Sequence, residues 1–188
     1  MGDIDIITRI RIEHAQAVEG VFTNHVGDII TLAEKMATAV KSNHKLLFCG
    51  NGGSACDAMH IAGEFVGRFV HDRKALPALA LTSDSGIITA VANDYSYDDI
   101  FSRQVEALAQ AGDILITLST SGKSPNILKA LEAAKGKGVF TVLFTGEKGK
   151  DRKEADMVIA VPGPTTAHIQ EAHMTVLHAL ASLVESRL

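Results

Sequence analysis

"GNGGSACDAMHIAGEF" spans Gly50 to Phe65 and follows the apolar run "KLLFC" (45–49). A buried strand, a glycine-rich turn and an amphipathic helix in direct succession make the opening of a βα unit. The helix carries Asp57, His60 and Glu64 at i, i+3 and i+7, so two acids and an imidazole share one face. Ile61, Phe65, Ala58 and Ala62 are left to pack the other faces.

Four more apolar runs follow: "ALALT" (78–82), "DILITL" (113–118), "VFTVLF" (139–144) and "MVIAV" (157–161). Nearly continuous apolar runs are the mark of parallel strands covered on both faces. Helical patterns separate them at 53–68, at 85–110 with a break near "NDYSYDD" (93–99), at 124–136 and at 147–155. This alternation predicts an α/β fold, a doubly wound five-stranded parallel sheet with right-handed crossovers. A helical region from Ile4 to Lys41, interrupted near Asn24–Asp28, precedes the sheet. A long helix over 165–188 follows it, with a stripe of Ile169, Val176, Leu177, Leu180, Leu183, Val184 and Leu188. The expected organisation is one domain: an N-terminal helical segment (1–43), an α/β core (44–164) and a C-terminal helix (165–188). The outer helices have no strand to return to. Their apolar faces pack either on their own sheet or on another subunit, and the pattern does not choose between the two.

The bulk properties fit one ordinary globular domain: 188 residues, 46% hydrophobic and 21% charged. A net charge of −4 gives no footprint for nucleic-acid binding. No apolar run reaches the ~18 residues of a membrane span. "MGDIDIITRIRIEH" places acids before bases and has no apolar stretch of the kind a signal peptide needs. Cys49 and Cys56 form neither a disulfide framework nor a zinc ribbon, and Cys49 reads as a buried thiol. The expectation is a cytoplasmic protein without membrane or nucleic-acid partners.

In an open parallel sheet, ligands bind at the carboxyl ends of the strands. Two turns there are rich in anion-binding groups. Gly50-x-Gly52-x-x-Ala55 matches a dinucleotide fingerprint, with Asp84 placed to hold a ribose, but a lone match is weak. The second turn is "STSGKSPN" (119–126), where Ser119, Thr120 and Ser121 precede Ser124 as N-cap and Pro125 as first helical residue. Hydroxyls beside free helix N–H groups make a phosphate socket. A P-loop reading fails because position 117 is Thr117, where it needs glycine. The bland reading of this loop is a Ser-rich turn that only caps a helix, with Lys123 in solvent. The Asp57/His60/Glu64 row argues against a dinucleotide helix, whose work ends at the pyrophosphate; a solvated surface stripe is the alternative. The last helix adds Gln170, Glu171, His173 and His178. Gln170 and His178 lie eight residues apart, about 12 Å along a helix, and share one ion only by leaning together. Glu171 and His173 read as packing or surface residues.

Together, "CGNGGSACDAMHIAGEF", Gly67–Arg68, Asn93–Asp94, "FSRQVEAL" (101–108), "STSGKSPN" and "IQEAH" (169–173) resemble the phosphoheptose isomerases. These are the sedoheptulose 7-phosphate isomerases of the sugar isomerase (SIS) fold. The likeness runs in order from Lys45 onward, while the N-terminal helical segment is similar in pattern only. The resemblance implies a cytoplasmic homotetramer with active sites at subunit interfaces. It implies conversion of D-sedoheptulose 7-phosphate to D-glycero-D-manno-heptose 7-phosphate, the first step towards activated heptose. Asn51, Gly52, Gly53 and Ser54 would contact substrate, Ser119, Thr120, Ser121 and Ser124 would hold its phosphate, and Asn93 and Asp94 its hydroxyls. His60, Glu64, Gln170 and His178 would bind one zinc per subunit, with Glu64 and Gln170 also touching substrate and Glu64 and His178 forming the acid/base pair. Ala167-His168 departs from the Asp-Arg or Ala-Arg of many members, which puts fine substrate contacts in question. The main alternative is a SIS-fold tetrameric interaction protein of the replication-initiator-associating type, against which His178 stands. Isomerases of arabinose 5-phosphate or hexulose 6-phosphate are disfavoured by the His60/Glu64 helix and the C-terminal motif.

Overall fold

Strands β1 (Leu46–Gly50) and β3 (Ile114–Ser119) are buried along their whole length and lie side by side at the centre of a parallel sheet. The computed structural model describes residues 2–188. It adds β2 (Ala78–Ala80), β4 (Phe140–Gly146) and β5 (Met157–Val161), in the order β2-β1-β3-β4-β5, all parallel. The α-helices are α1 (Asp3–Lys41), α2 (Gly53–Val66), α3 (Ser85–Asp94), α4 (Ser102–Leu108), α5 (Pro125–Gly136) and α6 (Thr166–Glu185). This is the doubly wound α/β architecture that the apolar runs predict, with strand ends shifted by one or two residues.

Alternation along the strands feeds two cores. Leu46, Phe48, Ile116 and Phe144 join α1, α2 and α6 on one face; Leu47, Cys49, Leu115 and Leu143 join α4 and α5 on the other. The strand order reverses direction between β1 and β3, so their carboxyl ends diverge into a crevice.

The outer helices cover the chain's own sheet. From α6, Ile169, Val176, Leu177, Leu180 and Val184 are buried, and α1 contributes Val21, Leu32, Met36 and Val40. The first turns of α1 are different: Ile4 is 80% exposed and Ile7 67%. The interruption expected near Asn24–Asp28 is a kink at His25 (φ −127°, ψ 16°) inside a continuous α1. His25 bonds Asp28 at 2.9 Å through Nδ1, and its Nε2 accepts the Ala160 amide at 3.2 Å. The kink therefore lets α1 close the edge of β5.

The helix expected over 147–155 is a correction. Only one 3-10 turn forms, Glu147–Gly149. "EKGKDRKEA" has no apolar stripe to bury, and Gly149 packs so tightly on Thr145 that a Cβ there would lie 2.3 Å from its hydroxyl. The expected 85–110 segment is divided into α3, a 3-10 turn at Tyr97–Asp99 and α4. Among the described residues no helix is long and apolar enough to cross a membrane.

Candidate active site

Three helices begin around the crevice at the ends of β1 and β3: α2 at Gly53, α5 behind its N-cap Ser124, and α6 behind its N-cap Thr165. They enclose a cavity of about 360 Å³ lined by Asn51, Gly52, Gly53, Ser54, Leu118, Ser119, Thr120, Ser121, Ser124, Thr166 and Gln170. Unpaired N–H groups and the positive ends of helix dipoles thus converge on one volume, which is a site for an anion. Gly52 adopts φ +59°, a left-handed conformation that suits glycine. At Gly53 a Cβ would meet the Gln170 amide at 2.8–2.9 Å, so the close seat of α6 on α2 depends on the missing side chain.

The hydroxyls are directed inward. Ser124 occupies the expected N-cap, but its hydroxyl does not cap the helix; it meets the Ser119 hydroxyl at 3.1 Å. The socket therefore keeps donors available for a ligand. Lys123 is exposed and outside the cavity lining. Asn51 is fixed by a reciprocal pair of 2.9 Å bonds with the buried Asn126, and its Oδ1 also accepts from Tyr97 Oη at 3.0 Å.

Further along α2 and α6 lies a second group. His60 Nε2 and His178 Nε2 are 2.9 Å apart, and His60 Nε2 is 3.4 Å from Glu64 Oε1. Ligand atoms of all three residues lie within 4.8 Å of one another. The rings of His60 and His178 meet edge to face, and Phe69 stacks on His178 with centroids 5.4 Å apart. Burial, followed by the neighbouring His60, lowers the His178 pKa from its usual value, against the pull of Glu64. His178 therefore stands as a neutral imidazole at pH 7, able to accept a proton or to ligate.

The set passes the test for a divalent cation. Tetrahedral bonds of about 2.0–2.1 Å place ligand atoms roughly 3.3 Å apart, close to the separations found, and two imidazoles with a carboxylate are donors suited to zinc. Three protein donors also leave a coordination position free.

Other expected residues are placed elsewhere. The Gln170 amide donates to Ser54 Oγ at 3.2 Å, which puts Gln170 over the anion cavity. Asn93 and Asp94 end α3, exposed and bonded to each other at 2.8 Å, and do not line the cavity. Asp57 faces Gln170 and Glu171 across a shallow recess, with its Oδ2 buried and without a partner, and burial raises its pKa. His168 is buried, bonds Thr165 Oγ1 at 3.0 Å and lies 3.7 Å from Glu13 on α1. The substitution at Ala167-His168 thus directs the titratable ring to α1. Thr166, Tyr97, Asn126 and Phe69 were not singled out from the sequence; Asn126 ends the quoted serine motif, and the others carried no local signal.

The model of the SIS domain family matches residues 12–146. A phosphoheptose isomerase of Solidesulfovibrio magneticus is 49% identical over 173 residues, covering 92% of this chain and 85% of that protein. The solved phosphoheptose isomerase of Neisseria gonorrhoeae superposes with a TM-score of 0.88 at 36% identity, over 97% of this chain and 98% of that one. That of Francisella tularensis gives 0.90 at 33% identity, over 99% and 100%. With a matched domain, a shared fold along its length and an acid–imidazole group beside an anion cavity, the chain belongs to the phosphoheptose isomerases of the SIS-domain family, which are enzymes.

Proposed function

We propose that this sugar-phosphate isomerase converts D-sedoheptulose 7-phosphate to D-glycero-D-manno-heptose 7-phosphate through an enediol, opening the route to activated heptose. One observation carries the reading. The anion cavity takes Gly53 and Ser54 from α2 and Thr166 and Gln170 from α6, and the His60/Glu64/His178 group lies about two turns, roughly 11 Å, further along those same two helices. An open-chain seven-carbon sugar phosphate spans that distance. With its phosphate among Ser119, Thr120, Ser121 and Ser124, its C1 and C2 reach the acid–imidazole group. Remote phosphate binding then orients the reacting carbons.

Glu64 takes the C1 proton of the ketose and returns it to C2. His178, neutral at pH 7, accepts the O1 proton and supplies one to O2. No atom is gained or lost. Asn51, Ser54 and Gln170 hold the chain between the two ends; Asn93 and Asp94, outside the cavity lining, would bind only hydroxyls that extend past it. His60, Glu64 and His178 would hold one zinc per subunit; Gln170, which the family resemblance adds as a ligand, bonds Ser54 at the anion cavity and would have to leave that bond to reach the ion. A bound zinc would polarise the carbonyl oxygen. A carboxylate or imidazole nitrogen bound to a cation is a weaker base, so Glu64 and His178 serve as the acid/base pair where they are not holding the ion.

The segments 1–43, 44–164 and 165–188 work as one domain, supported by a core that draws on all three. The exposed isoleucines at the start of α1 support burial of that segment against another subunit; the homotetramer, its interfacial sites and the cytoplasmic location follow from the family resemblance alone.

The test is turnover of sedoheptulose 7-phosphate by purified protein, with and without chelator and then with added zinc. Turnover lost to chelator and restored by zinc establishes isomerase and working metal together. Turnover indifferent to chelator keeps the isomerase and removes the metal from the chemistry. A folded tetramer without turnover transfers the reading to a SIS-fold interaction protein. Glu64→Gln should fold normally and lose turnover; retained activity rejects Glu64 as the base.

A further inference from the structure

The loop after α2 is tied down by one ion pair. Glu185, on α6, accepts three successive backbone amides, from Phe69 at 3.2 Å and from Val70 and His71 at 3.0 Å. The same carboxylate accepts Arg73 Nε at 3.1 Å. Arg73 in turn donates to the carbonyls of Glu64 at 2.7 Å and Phe65 at 2.8 Å. These are among the carbonyls that the last turn of a helix leaves unpaired. The side chains are 11% and 4% exposed, so the pair is buried.

Each end of this arrangement reaches the acid–imidazole group. Arg73 holds the backbone of Glu64 itself. Glu185 lies seven residues, two turns, after His178 on the same face of α6. The loop between them sets Phe69 on the His178 ring. We propose that Arg73 and Glu185 are positioning residues for the His60/Glu64/His178 group: their ion pair locks the end of α2 to α6, seats Phe69 on His178 and fixes the gap across which the three side chains meet. The proposal rests on the isomerase reading for the group's use, and on the hydrogen bonds alone for its placement.

The experiment compares Arg73→Lys, Glu185→Gln and Phe69→Leu with a stability control at the opposite, amino end of the central strands, Asp113→Asn. Asp113 is buried and bonds Lys45 Nζ at 2.6 Å, away from the active-site crevice. Zinc affinity, by competition with a chromogenic chelator, is measured with Tm, kcat and KM. Residues that orient metal ligands typically change metal affinity or activity about 10–100-fold. Arg73→Lys and Glu185→Gln are expected to weaken zinc and lower kcat about tenfold or more, with KM within about twofold. Phe69→Leu, which keeps the ion pair, should give a smaller loss of the same kind. Asp113→Asn should lower Tm and leave zinc affinity and kcat unchanged. If the clamp variants lose only Tm, as the control does, the ion pair is merely structural and the proposal is overturned. Should Arg73→Lys fail to fold, Glu185→Gln and Phe69→Leu decide the matter. A wild-type chain that holds zinc but turns over no sugar phosphate, with affinity still falling in the variants, keeps the clamp and rejects the isomerase. Wild-type turnover with variants unaffected does the reverse. A wild-type chain without zinc binding or turnover overturns both.

Discussion

Two regions of α6, five residues apart, use the same side chain in opposite ways. His173 faces the sheet, where its ring meets Phe144 edge to face and its Nε2 bonds the Thr145 carbonyl at 3.2 Å. It is sealed, its Nδ1 has no partner, and burial lowers its pKa from the usual value to about 4. His178 is turned to α2, half-buried, within reach of His60 and Glu64. Both rings are neutral at pH 7. The difference is access: one neutral ring is locked in the core, and the other meets two further donors at the half-exposed seam between α2 and α6. A depressed histidine pKa therefore marks burial as readily as function, and the neighbouring groups distinguish the cases.

The most forceful way to break this comparison is to exchange the losses. His178→Asn should lower kcat about 10²–10⁴-fold, the scale of a positioned acid/base group, with little change in Tm. His173→Gln should leave kcat per folded molecule nearly unchanged. Steady-state rates on both variants, corrected for folded fraction, check this. A His173 variant as inactive as the His178 variant would dissolve the distinction.

The acid limb of stability sharpens it. A histidine whose folded pKa is depressed contributes stability that is complete above its unfolded pKa of about 6.5 and is lost as pH falls towards the folded value. For His173 that window runs from about 6.5 down to about 4. One pKa unit is about 1.4 kcal/mol, so the loss reaches about 3 kcal/mol across it. Unfolding followed from pH 7 to 4 should fall less steeply in His173→Gln than in wild type. Parallel curves would show that the ring carries no proton deficit in the fold.

At the cavity the expected effects are smaller and fall on binding. Ser124→Ala removes a hydroxyl that faces Ser119 and takes no side-chain cap from α5, because that hydroxyl makes none. A hydrogen bond to a charged group contributes about 1.5–3 kcal/mol. KM for the sugar phosphate should rise about tenfold or more, with kcat changed far less. A fall in kcat at constant KM would move Ser124 away from the phosphate.

What could be read beforehand follows the range of each interaction. The sheet was legible because each strand's apolar run is local, and the cavity because glycines and hydroxyls cluster at the ends of β1 and β3. His60 and Glu64 were legible as an i, i+4 pair. Their meeting with His178 was legible only through the family resemblance, since it spans 118 residues. The Arg73–Glu185 pair spans 112 residues, and neither residue stands in a motif. Thr166 reaches the cavity only because α6 starts beside α2. At 147–155 charged residues looked like a helix surface, but no apolar stripe stood behind them. His168 shows the remaining gap: its position near the motif said nothing of its direction, which is set by Glu13 and Thr165.

Tyr97 offers the smallest effect and the finest test. Its hydroxyl donates to Asn51 Oδ1, yet the side chain is exposed and that oxygen already accepts from Asn126. An exposed, second bond to one acceptor adds less than the ~1 kcal/mol of an ordinary hydrogen bond. Tyr97→Phe should therefore raise KM no more than about threefold and leave Tm unchanged, whereas Asn126→Ala strips a buried partner from Asn51 and should cost more in both. If Tyr97→Phe equals Asn126→Ala in KM, the tyrosine acts on the ligand directly and the cavity extends to the turn after α3. If it has no effect at all, the Asn51–Asn126 pair alone orients the amide, and the wall of the site ends at the buried core.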